Sequence, residues 1–418
     1  MDSGDTTFAF TIVARNYLGQ ASVLFNSILK QCSNVRFCCF VADGFDNDSE
    51  IPEELRNSVF DCRKLGIPYF EEMAFRYDVV EFSTSLKPYI FRYILEVEGH
   101  EKAVYFDPDI KLFHDLSWLD EALSAGSIAV TPHVIHVPSE QSESSRMPAI
   151  DMREFLFVGA MNFGFIAIRK SETGLAMLKW WAKELRDKCF VEIGQSLFVD
   201  QKWGDLLPGF FAEEVVVVRD PGTNLAYWNM HERELAGDAE TGYLVNGAKL
   251  KFVHFSSVDL ANSEGISSNI PKSRNINLVS YPEYTEIFST YKRELIESGH
   301  LSRKKNTPYR YNYFENGETI NKLHRRIFSR LSKEENLGNP FSATGNYYLR
   351  LKKAGLLDST GGTRELAAAD VPNLKRKRGI IEFGFTILRR VLGTQRYIAL
   401  LNEVRRIANL ENNVFLLK

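Results

Sequence analysis

Cysteine is scarce in this chain, and long apolar runs are missing. There are five cysteines in 418 residues, an odd number, and Cys38 and Cys39 stand inside an apolar run. We therefore expect reduced core thiols in a reducing compartment and exclude a disulfide scaffold. No stretch of about 18 residues is both apolar and uncharged, so no membrane-spanning helix is predicted. Residues 1–5 are acidic where a signal peptide is basic, which predicts a cytoplasmic protein.

An extreme overall composition is also missing. Hydrophobic residues make up 44% of the chain and charged residues 25%, close to the average for folded soluble proteins, which excludes disorder and collagen-like repeats. The net charge of -3 conceals an asymmetry, because residues 301–418 hold 23 Lys and Arg against 10 Asp and Glu. The sequence therefore predicts a basic C-terminal module with a task separate from that of the acidic region before it.

Short β-rich runs alternate with helical patterns from residue 8 to about residue 256. This alternation predicts an α/β fold with a mostly parallel mixed sheet flanked by helices, followed by a C-terminal helical region. We place the α/β domain at residues 5–260, a connecting segment at 261–300 and the basic, mainly helical region at 301–418. The first strand, helix and strand are predicted at residues 8–14, 19–31 and 35–41.

Two further helices are predicted from local signals. Ser83, Thr84 and Ser85 should cap a helix that begins near Pro88 and ends near residue 97, because proline in the first turn loses no hydrogen bond that the helix needs. Another helix is predicted over about residues 195–207.

The sharpest chemical signal follows a strand predicted at residues 102–106. Asp107-Pro108-Asp109 supplies two carboxylates spaced i, i+2, which point to the same side of a continuing strand and can converge on one cation. Mn²⁺ or Mg²⁺ prefers such oxygen ligands and completes its shell with substrate phosphates. The alternative is an Asp-Pro turn without a ligand.

Three later motifs follow this one along the chain. They are Met161 to Ile166, Asp200-Gln201 and Lys251 to Phe255. Together and in this order, the four motifs resemble those of nucleotide-sugar-dependent glycosyltransferases of the GT-A fold. The resemblance is greatest to the retaining family of glycogenin and the lipopolysaccharide galactosyltransferases, and it covers roughly residues 8–256.

The resemblance implies a metal site. Asp107, Asp109 and His254 would bind Mn²⁺ or Mg²⁺, which stabilises the charge that develops on a diphosphate leaving group. His254 has a structural alternative as a core histidine at the end of a strand.

The resemblance also implies a nucleotide-sugar pocket, with a UDP-sugar as the favoured donor. Ala14 and Tyr17 would line the nucleotide pocket, Asp43 would lie near the base or ribose, and Asn162 would contact the nucleotide sugar. Lys87 is a further candidate. A cation in the first turn of a helix is unfavourable beside the positive end of the helix dipole, so its presence there requires another reason. Binding donor phosphate or pairing with Asp107 would supply one, and a solvated lysine is the alternative.

The catalytic and acceptor residues are expected after the sheet's later strands. In the resembling family, Asp200-Gln201 faces the reacting sugar, so Asp200 would bind sugar hydroxyls or act as a general base, with Gln201 beneath the anomeric carbon. A helix N-cap is the alternative. Trp228 and Asn229 offer an aromatic face and an amide, which suit an acceptor sugar, whereas burial of Trp228 in the core is the alternative.

The chain departs from the family after His254-Phe255. The family continues with Gly and a Lys-Pro-Trp that contacts the diphosphate, but this chain has Ser256-Ser257-Val258-Asp259. Lys272 or Arg274 could supply the missing cation. Both the retaining and the inverting outcome therefore remain open. The loop at residues 131–151 is expected to cover the pocket, and its sequence has no readable code for the donor or the acceptor.

The basic tail admits several partners. Tyr309 to Tyr313 and Arg325-Arg326 interleave aromatics and cations, but we find no nucleic-acid motif and expect no nucleic-acid partner. A basic amphipathic tail can rest on anionic lipid, which would make the protein peripheral at the membrane. It can equally form a helical cap on the transferase domain or an interface in a homo-oligomer.

The sequence thus predicts a metal-dependent glycosyltransferase that moves a sugar from a nucleotide-sugar donor to a glycan or lipid-linked acceptor. A sugar-phosphate nucleotidyltransferase is one alternative, although residues 14–17 carry only one cation for a triphosphate. A non-catalytic glycan-binding protein is the other, although it would need no paired carboxylates at a strand end.

Overall fold

The computed structural model describes residues 6–137, 151–270, 276–357 and 374–417, with side chains in the last range from residue 377. The chain divides into two compact units. Unit 1 consists of Met1–Pro68 and Val79–Tyr309, and unit 2 of Tyr69–Asp78 and Arg310–Lys418. Each unit has a hydrophobic core of its own. We find no sequence signal for the assignment of Tyr69–Asp78 to unit 2.

The described strands all belong to unit 1. They are β1 (Thr7–Val13), β2 (Val35–Val41), β3 (Val59–Asp61), β4 (Lys102–Phe106), β5 (Ile110–Leu112), β6 (Ile128–Pro132), β7 (Met161–Arg169), β8 (Val191–Glu192), β9 (Leu197–Phe198), β10 (Val215–Val217), β11 (Leu235–Asp238), β12 (Gly242–Val245), β13 (Ala248–Lys249) and β14 (Phe252–His254).

Seven of these strands form the main sheet, in the order β10-β6-β7-β4-β1-β2-β3. All neighbours are parallel except at β7, which runs antiparallel to both β4 and β6. Every residue of β1 is buried, as expected of a central strand covered on both faces. The predicted α/β class with a mostly parallel mixed sheet is confirmed.

Helices flank this sheet and make up the described part of unit 2. They are α1 (Leu18–Gln31), α2 (Phe70–Arg76), α3 (Val79–Ser85), α4 (Lys87–Arg92), α5 (Trp118–Ala125), α6 (Met152–Val158), α7 (Glu172–Leu185), α8 (Leu207–Phe210), α9 (Thr285–Glu297), α10 (His300–Asn306), α11 (Lys322–Leu331), α12 (Asn346–Lys353), α13 (Leu374–Leu392) and α14 (Thr394–Ala408). No described helix is long and apolar enough to cross a membrane. The five cysteines are free thiols, but only Cys39, Cys62 and Cys189 are buried as the prediction of core thiols requires, whereas Cys32 and Cys38 are half-buried.

The helix predicted from near Pro88 to near residue 97 is present as α4 and a π-helical turn at Tyr93–Val97, but its predicted cap is wrong, and so is the helix predicted at residues 195–207. Ser83, Thr84 and Ser85 do not cap α4 but end α3, where their hydroxyls donate to backbone carbonyl oxygens three or four residues earlier. Residues 195–207 contain β9 and a 3-10 turn at Gln201–Leu206, because Ser196 and Val199 take positive φ angles that an α-helix cannot contain.

A small antiparallel pair, β5 with β14, extends unit 1 beyond the main sheet. Behind β14 lies a second core cluster that includes Val253, Phe255 and, from α9, Tyr291. The rings of Phe255 and Tyr291 stack with centroids 3.8 Å apart. This packing fixes the end of β14, which carries His254.

Unit 2 is held together by a buried arginine. Arg325 in α11 is 2% exposed, and its guanidinium donates to the carbonyl oxygens of Ala74, Phe75, Tyr77 and Tyr311. Three of these carbonyls lie at the C-terminal end of α2, where a helix leaves its last acceptors unpaired and favours a cation. The neighbouring Arg326 is also buried, so neither arginine is available to a surface ligand.

We expect Arg325→Ala to lower the free energy of unfolding of unit 2 by about 3 kcal/mol, because several buried carbonyls would lose their donor. Hydrogen exchange of the α11 amides measures this locally. Arg330→Ala removes an exposed guanidinium paired with Glu334 in the turn after α11 and should change stability by less than about 0.5 kcal/mol. Equal protection in both variants would contradict the structural role of Arg325.

Candidate active site

The two predicted metal carboxylates lie at the carboxyl end of β4. The backbone N–H of Ile110 donates to the carbonyl oxygen of Asp107 at 3.0 Å, so residues 107–110 form a turn before β5. We expected a continuing strand to align the carboxylates, but a turn brings Asp107 and Asp109 together. Both remain half-buried and accessible to a ligand.

His254 reaches these carboxylates through the pairing of β14 with β5. His254 lies opposite Ile110 in the register, and the N–H of Phe255 donates to the carbonyl oxygen of Asp109. His254 Nε2 is consequently 3.1 Å from Asp109 Oδ1 and 3.7 Å from Asp107 Oδ2. Burial favours the neutral imidazole, but the nearby carboxylates, first of all Asp109, outweigh it and raise the pKa of His254 above its ordinary value.

The donor set of this cluster suits a divalent cation. One ligand atom from each of Asp107, Asp109 and His254 lies within 4.8 Å of the others. Two carboxylates and an imidazole would leave further positions for water or phosphate oxygens. These three residues therefore fit the metal that the sequence implies.

Asn162 in β7 orients the histidine ring. Its Oδ1 accepts from the backbone N–H of Gly164 and lies 3.2 Å from His254 Nδ1, so this nitrogen carries the proton and Nε2 faces the carboxylates. Its Nδ2 donates to Gln201 Oε1 and lies 3.3 Å from His133 Nε2. Burial lowers the pKa of His133 to about 4, so its ring is neutral and can accept.

The side chain of Gln201 also forms its hydrogen bonds within the protein. Its Oε1 accepts from Asn162 Nδ2 and from the backbone N–H of Phe163, and its Nε2 donates to the carbonyl oxygen of Val158 at 2.9 Å. The predicted position of Gln201 beneath the anomeric carbon stays a prediction. Its observed contacts hold Asn162 and, through Asn162, His254.

Gly164 allows the ring of His254 to lie against β7. A Cβ atom at Gly164 would stand 2.4 Å from His254 Cε1 and 2.9 Å from Asn162 Oδ1, closer than real contacts permit. This close approach is the physical reason for glycine in the strand.

Lys87 and Asp200 form a buried ion pair beside the carboxylates. Lys87 Nζ is 2.8 Å from Asp200 Oδ2 and 3.8 Å from Asp107 Oδ1, and it donates to the carbonyl oxygen of Phe163. Burial raises the pKa of Asp200 to about 6, against the opposing effect of the Lys87 ammonium group. The predicted partner of Lys87 was Asp107, whereas Asp200 is the closer of the two carboxylates.

Our sequence analysis missed three residues of this region. Tyr105 donates its hydroxyl to Asp107 Oδ1 at 2.6 Å, and its ring lies 4.2 Å from Lys87 Nζ. Tyr105 lies two residues before Asp107, on the same side of the strand, and this spacing could have identified it. A tyrosine inside an apolar strand, however, usually indicates a core residue. His133 had no sequence signal, and Arg15 was considered only as the one cation of residues 14–17.

The predicted nucleotide residues lie at the same edge of the sheet. Ala14 follows β1, which pairs with β4, and Asp43 follows β2, which pairs with β1. Buried Asp43 accepts from the backbone N–H of Arg15 at 2.9 Å and pairs with its Nε. Tyr17 is half-buried and contacts the ring of His300 edge-on. Ligands of open α/β sheets bind at this carboxyl edge, although the nucleotide roles stay predictions.

The predicted acceptor residues have different surroundings. Asn229 is fully buried and its side chain bonds to the backbone of His133, Asn224 and Ala226. Trp228 is 5% exposed, with its ring edge-on to His254 at 5.1 Å. Acceptor binding by either residue stays a prediction, and their observed contacts support the loop beside His254.

Some predicted features lie outside the described residues. They are Lys272, Arg274 and residues 138–150 of the loop expected to cover the pocket.

Comparison with known proteins gives limited sequence similarity. No protein-family model matches the chain. The uncharacterized protein YfnF of Bacillus subtilis (strain 168) is 28% identical over 180 residues, which are 43% of this chain and 57% of that protein. The matched region thus spans little more than half the length of this relative.

Several solved structures are similar to the chain. The glycosyltransferase GlyE of Streptococcus pneumoniae TIGR4 is 14% identical with a TM-score of 0.38, covering 74% of this chain and 67% of that one. The galactosyltransferase LgtC, in complex with donor and acceptor sugar analogs, is 12% identical with a TM-score of 0.38, covering 68% and 95%. Mouse xyloside xylosyltransferase 1 is 13% identical with a TM-score of 0.36, covering 60% and 96%. These proteins belong to the enzyme class that the four sequence motifs resemble. What each of them binds and transfers is a property of that protein and is not carried over to this chain.

Proposed function

We propose that the chain is a metal-dependent glycosyltransferase that moves a sugar from a nucleotide-sugar donor, with a UDP-sugar favoured, to a glycan or lipid-linked saccharide acceptor. The observation that carries the proposal is the cluster of Asp107, Asp109 and His254 at the carboxyl edge of the sheet. Ala14 and Asp43 lie at the same edge, at the ends of the next two strands, which is where an open α/β sheet binds a nucleotide.

Asp107, Asp109 and His254 would hold Mn²⁺ or Mg²⁺. A divalent metal bound there would neutralise the charge that develops on a leaving diphosphate. Asn162 keeps His254 Nε2 pointed at the carboxylates, and Tyr105 restrains Asp107 through its hydroxyl. The ligands are thus oriented before the metal arrives, which reduces the cost of ordering them.

Lys87 and Asp200 would act next to the metal ligands. The Lys87 ammonium group is 1% exposed and lies between Asp107 and Asp200, so it balances the negative charge of both. We assign Asp200 to the transferred sugar, either as a hydroxyl acceptor or as a base, because its raised pKa lets it exchange a proton near neutral pH.

The contacts of Arg15 count against a nucleotidyltransferase. Its guanidinium pairs with Asp43 and with Glu50 at 2.6 Å, so the one cation of residues 14–17 already has partners. Thermal shift with UDP-, GDP- and dTDP-sugars, with a nucleoside triphosphate and with free glycans, each with and without Mn²⁺, separates the alternatives. A transferase should be stabilised by a nucleotide sugar with Mn²⁺, a nucleotidyltransferase by a nucleoside triphosphate, and a glycan-binding protein by a free glycan without metal.

We expect Asp109→Ala to abolish transfer and Mn²⁺-dependent donor binding while the fold stays intact, because one metal ligand is lost. Isothermal titration measures the loss of Mn²⁺ binding, and circular dichroism measures whether the fold stays intact. Asp120→Ala, which removes an exposed carboxylate paired with Lys102, is the matched control and should behave as wild type. Full activity of Asp109→Ala, or of the wild type in EDTA, would refute metal dependence.

Gly164→Ala should weaken Mn²⁺ affinity by roughly 10-fold to 100-fold, because the added methyl group displaces His254 and Asn162 from their positions. The control is Gly209→Ala, since a Cβ at Gly209 meets nothing within 4 Å. Titration of the metal-free protein with Mn²⁺ reports the difference. Unchanged affinity in Gly164→Ala would mean that His254 does not bind the metal.

Asp200→Asn should lower kcat by about 100-fold or more and change donor affinity little, because the group acts on the transferred sugar and not on the nucleotide. Asp205→Asn is the control, as this exposed residue pairs with Lys202 nearby and should leave turnover unchanged. Steady-state kinetics and donor titration distinguish the cases. An equal loss of donor binding would move Asp200 into the nucleotide pocket.

A further inference from the structure

Two amphipathic helices of unit 2, α13 and α14, form what we call the helix pair. The chain reverses between them at Gly393, whose φ of +74° favours glycine. The rings of Phe385 and Tyr397 then meet edge-on, with centroids 6.4 Å apart. The two helices are therefore packed against each other along part of their length.

The helix pair leaves a large apolar surface exposed. In α13, Ile380, Phe383, Ile387 and Val391 recur at helical spacing on one face and are 43–75% exposed. Other exposed apolar side chains of the pair are Ile381, Leu388, Ile398, Leu401, Val404 and Ile407. Many exposed apolar side chains on one pair of helices indicate an interaction site.

The charges around this surface identify the partner. From residue 377 to residue 408 the pair carries seven Lys and Arg but only Glu382 and Glu403 as acids. Both glutamates pair with arginines of their own helix. A second copy of the pair would bring like charges together, whereas anionic lipid offers the opposite charge and an apolar layer beneath it.

We propose that the helix pair lies on an anionic membrane surface, with Phe383 and its apolar neighbours inserted at the boundary between headgroups and acyl chains. Neither helix is apolar all round, and none described can cross a membrane, so the pair lies in the plane of the interface. The flanking arginines Arg389, Arg390, Arg405 and Arg406 would contact lipid phosphates. This proposal concerns unit 2 alone and does not depend on the activity proposed for unit 1.

Flotation of the full chain with lipid vesicles tests the proposal. The protein should float with vesicles of phosphatidylcholine and phosphatidylglycerol and remain unbound with phosphatidylcholine alone. Raising NaCl from about 50 mM to about 500 mM should release it, because the Debye length then falls to a few ångströms. Absence of binding to the anionic vesicles, or equal binding to both types without a salt effect, would overturn the proposal.

Two sets of variants locate the binding surface. Arg389→Glu with Arg390→Glu should reduce the vesicle partition coefficient by at least about tenfold, since each basic residue near the surface contributes measurably. Phe383→Ser with Ile387→Ser should do the same without loss of helicity, because both side chains are exposed. Arg56→Glu with Lys64→Glu makes the same charge change on exposed residues of unit 1 and should leave binding intact.

Analytical ultracentrifugation without lipid separates the membrane from a second copy. The proposal expects a monomer whose mass is unchanged by Phe383→Ser with Ile387→Ser. A dimer that this variant dissociates, with no flotation of the wild type, would instead assign the apolar surface to an interface between copies.

Discussion

The antiparallel pairing of β5 with β14 is the interaction on which the candidate site depends. β4 ends at Phe106, and the turn at residues 107–110 redirects the chain into β5. β14 is far away in sequence, but its register puts His254 opposite Ile110. Backbone hydrogen bonds thus fix the distance between the imidazole and two carboxylates, without any direct bond between the side chains being required.

This arrangement brings several charges close together, two of them on the buried side chains of Lys87 and Asp200, and the surrounding residues compensate for them. Asp107, Asp109 and Asp200 would repel one another at such short range, and Lys87 offsets part of that repulsion from a buried position. Burial of the Asp200 carboxyl also raises its pKa to about 6. Metal ligands, a cation and a carboxyl of raised pKa meet at one sheet edge. Together they are the groups needed to stabilise a negatively charged leaving group.

The cations of the C-terminal region occupy two different environments. Arg325 and Arg326 are buried in unit 2, where Arg325 satisfies carbonyl oxygens at the end of α2. The cations of α13 and α14 are exposed beside an apolar surface. Charge counting along the sequence treated both groups alike, because the number of cations carries no information about burial.

The sequence by itself determined the α/β class, the main strands and the two carboxylates at the end of β4, because hydrophobic period and motif order depend on neighbouring residues. It offered the turn at residues 107–110 only as an alternative without a ligand, and it did not determine the ion pair of Lys87 with Asp200 or the contacts of Asn162 with His254, Gln201 and His133. Those contacts join segments up to 113 residues apart, as between Lys87 and Asp200. Only the tertiary structure decided them, since strand order and register set which side chains meet, and no local pattern encodes the register of β14 against β5.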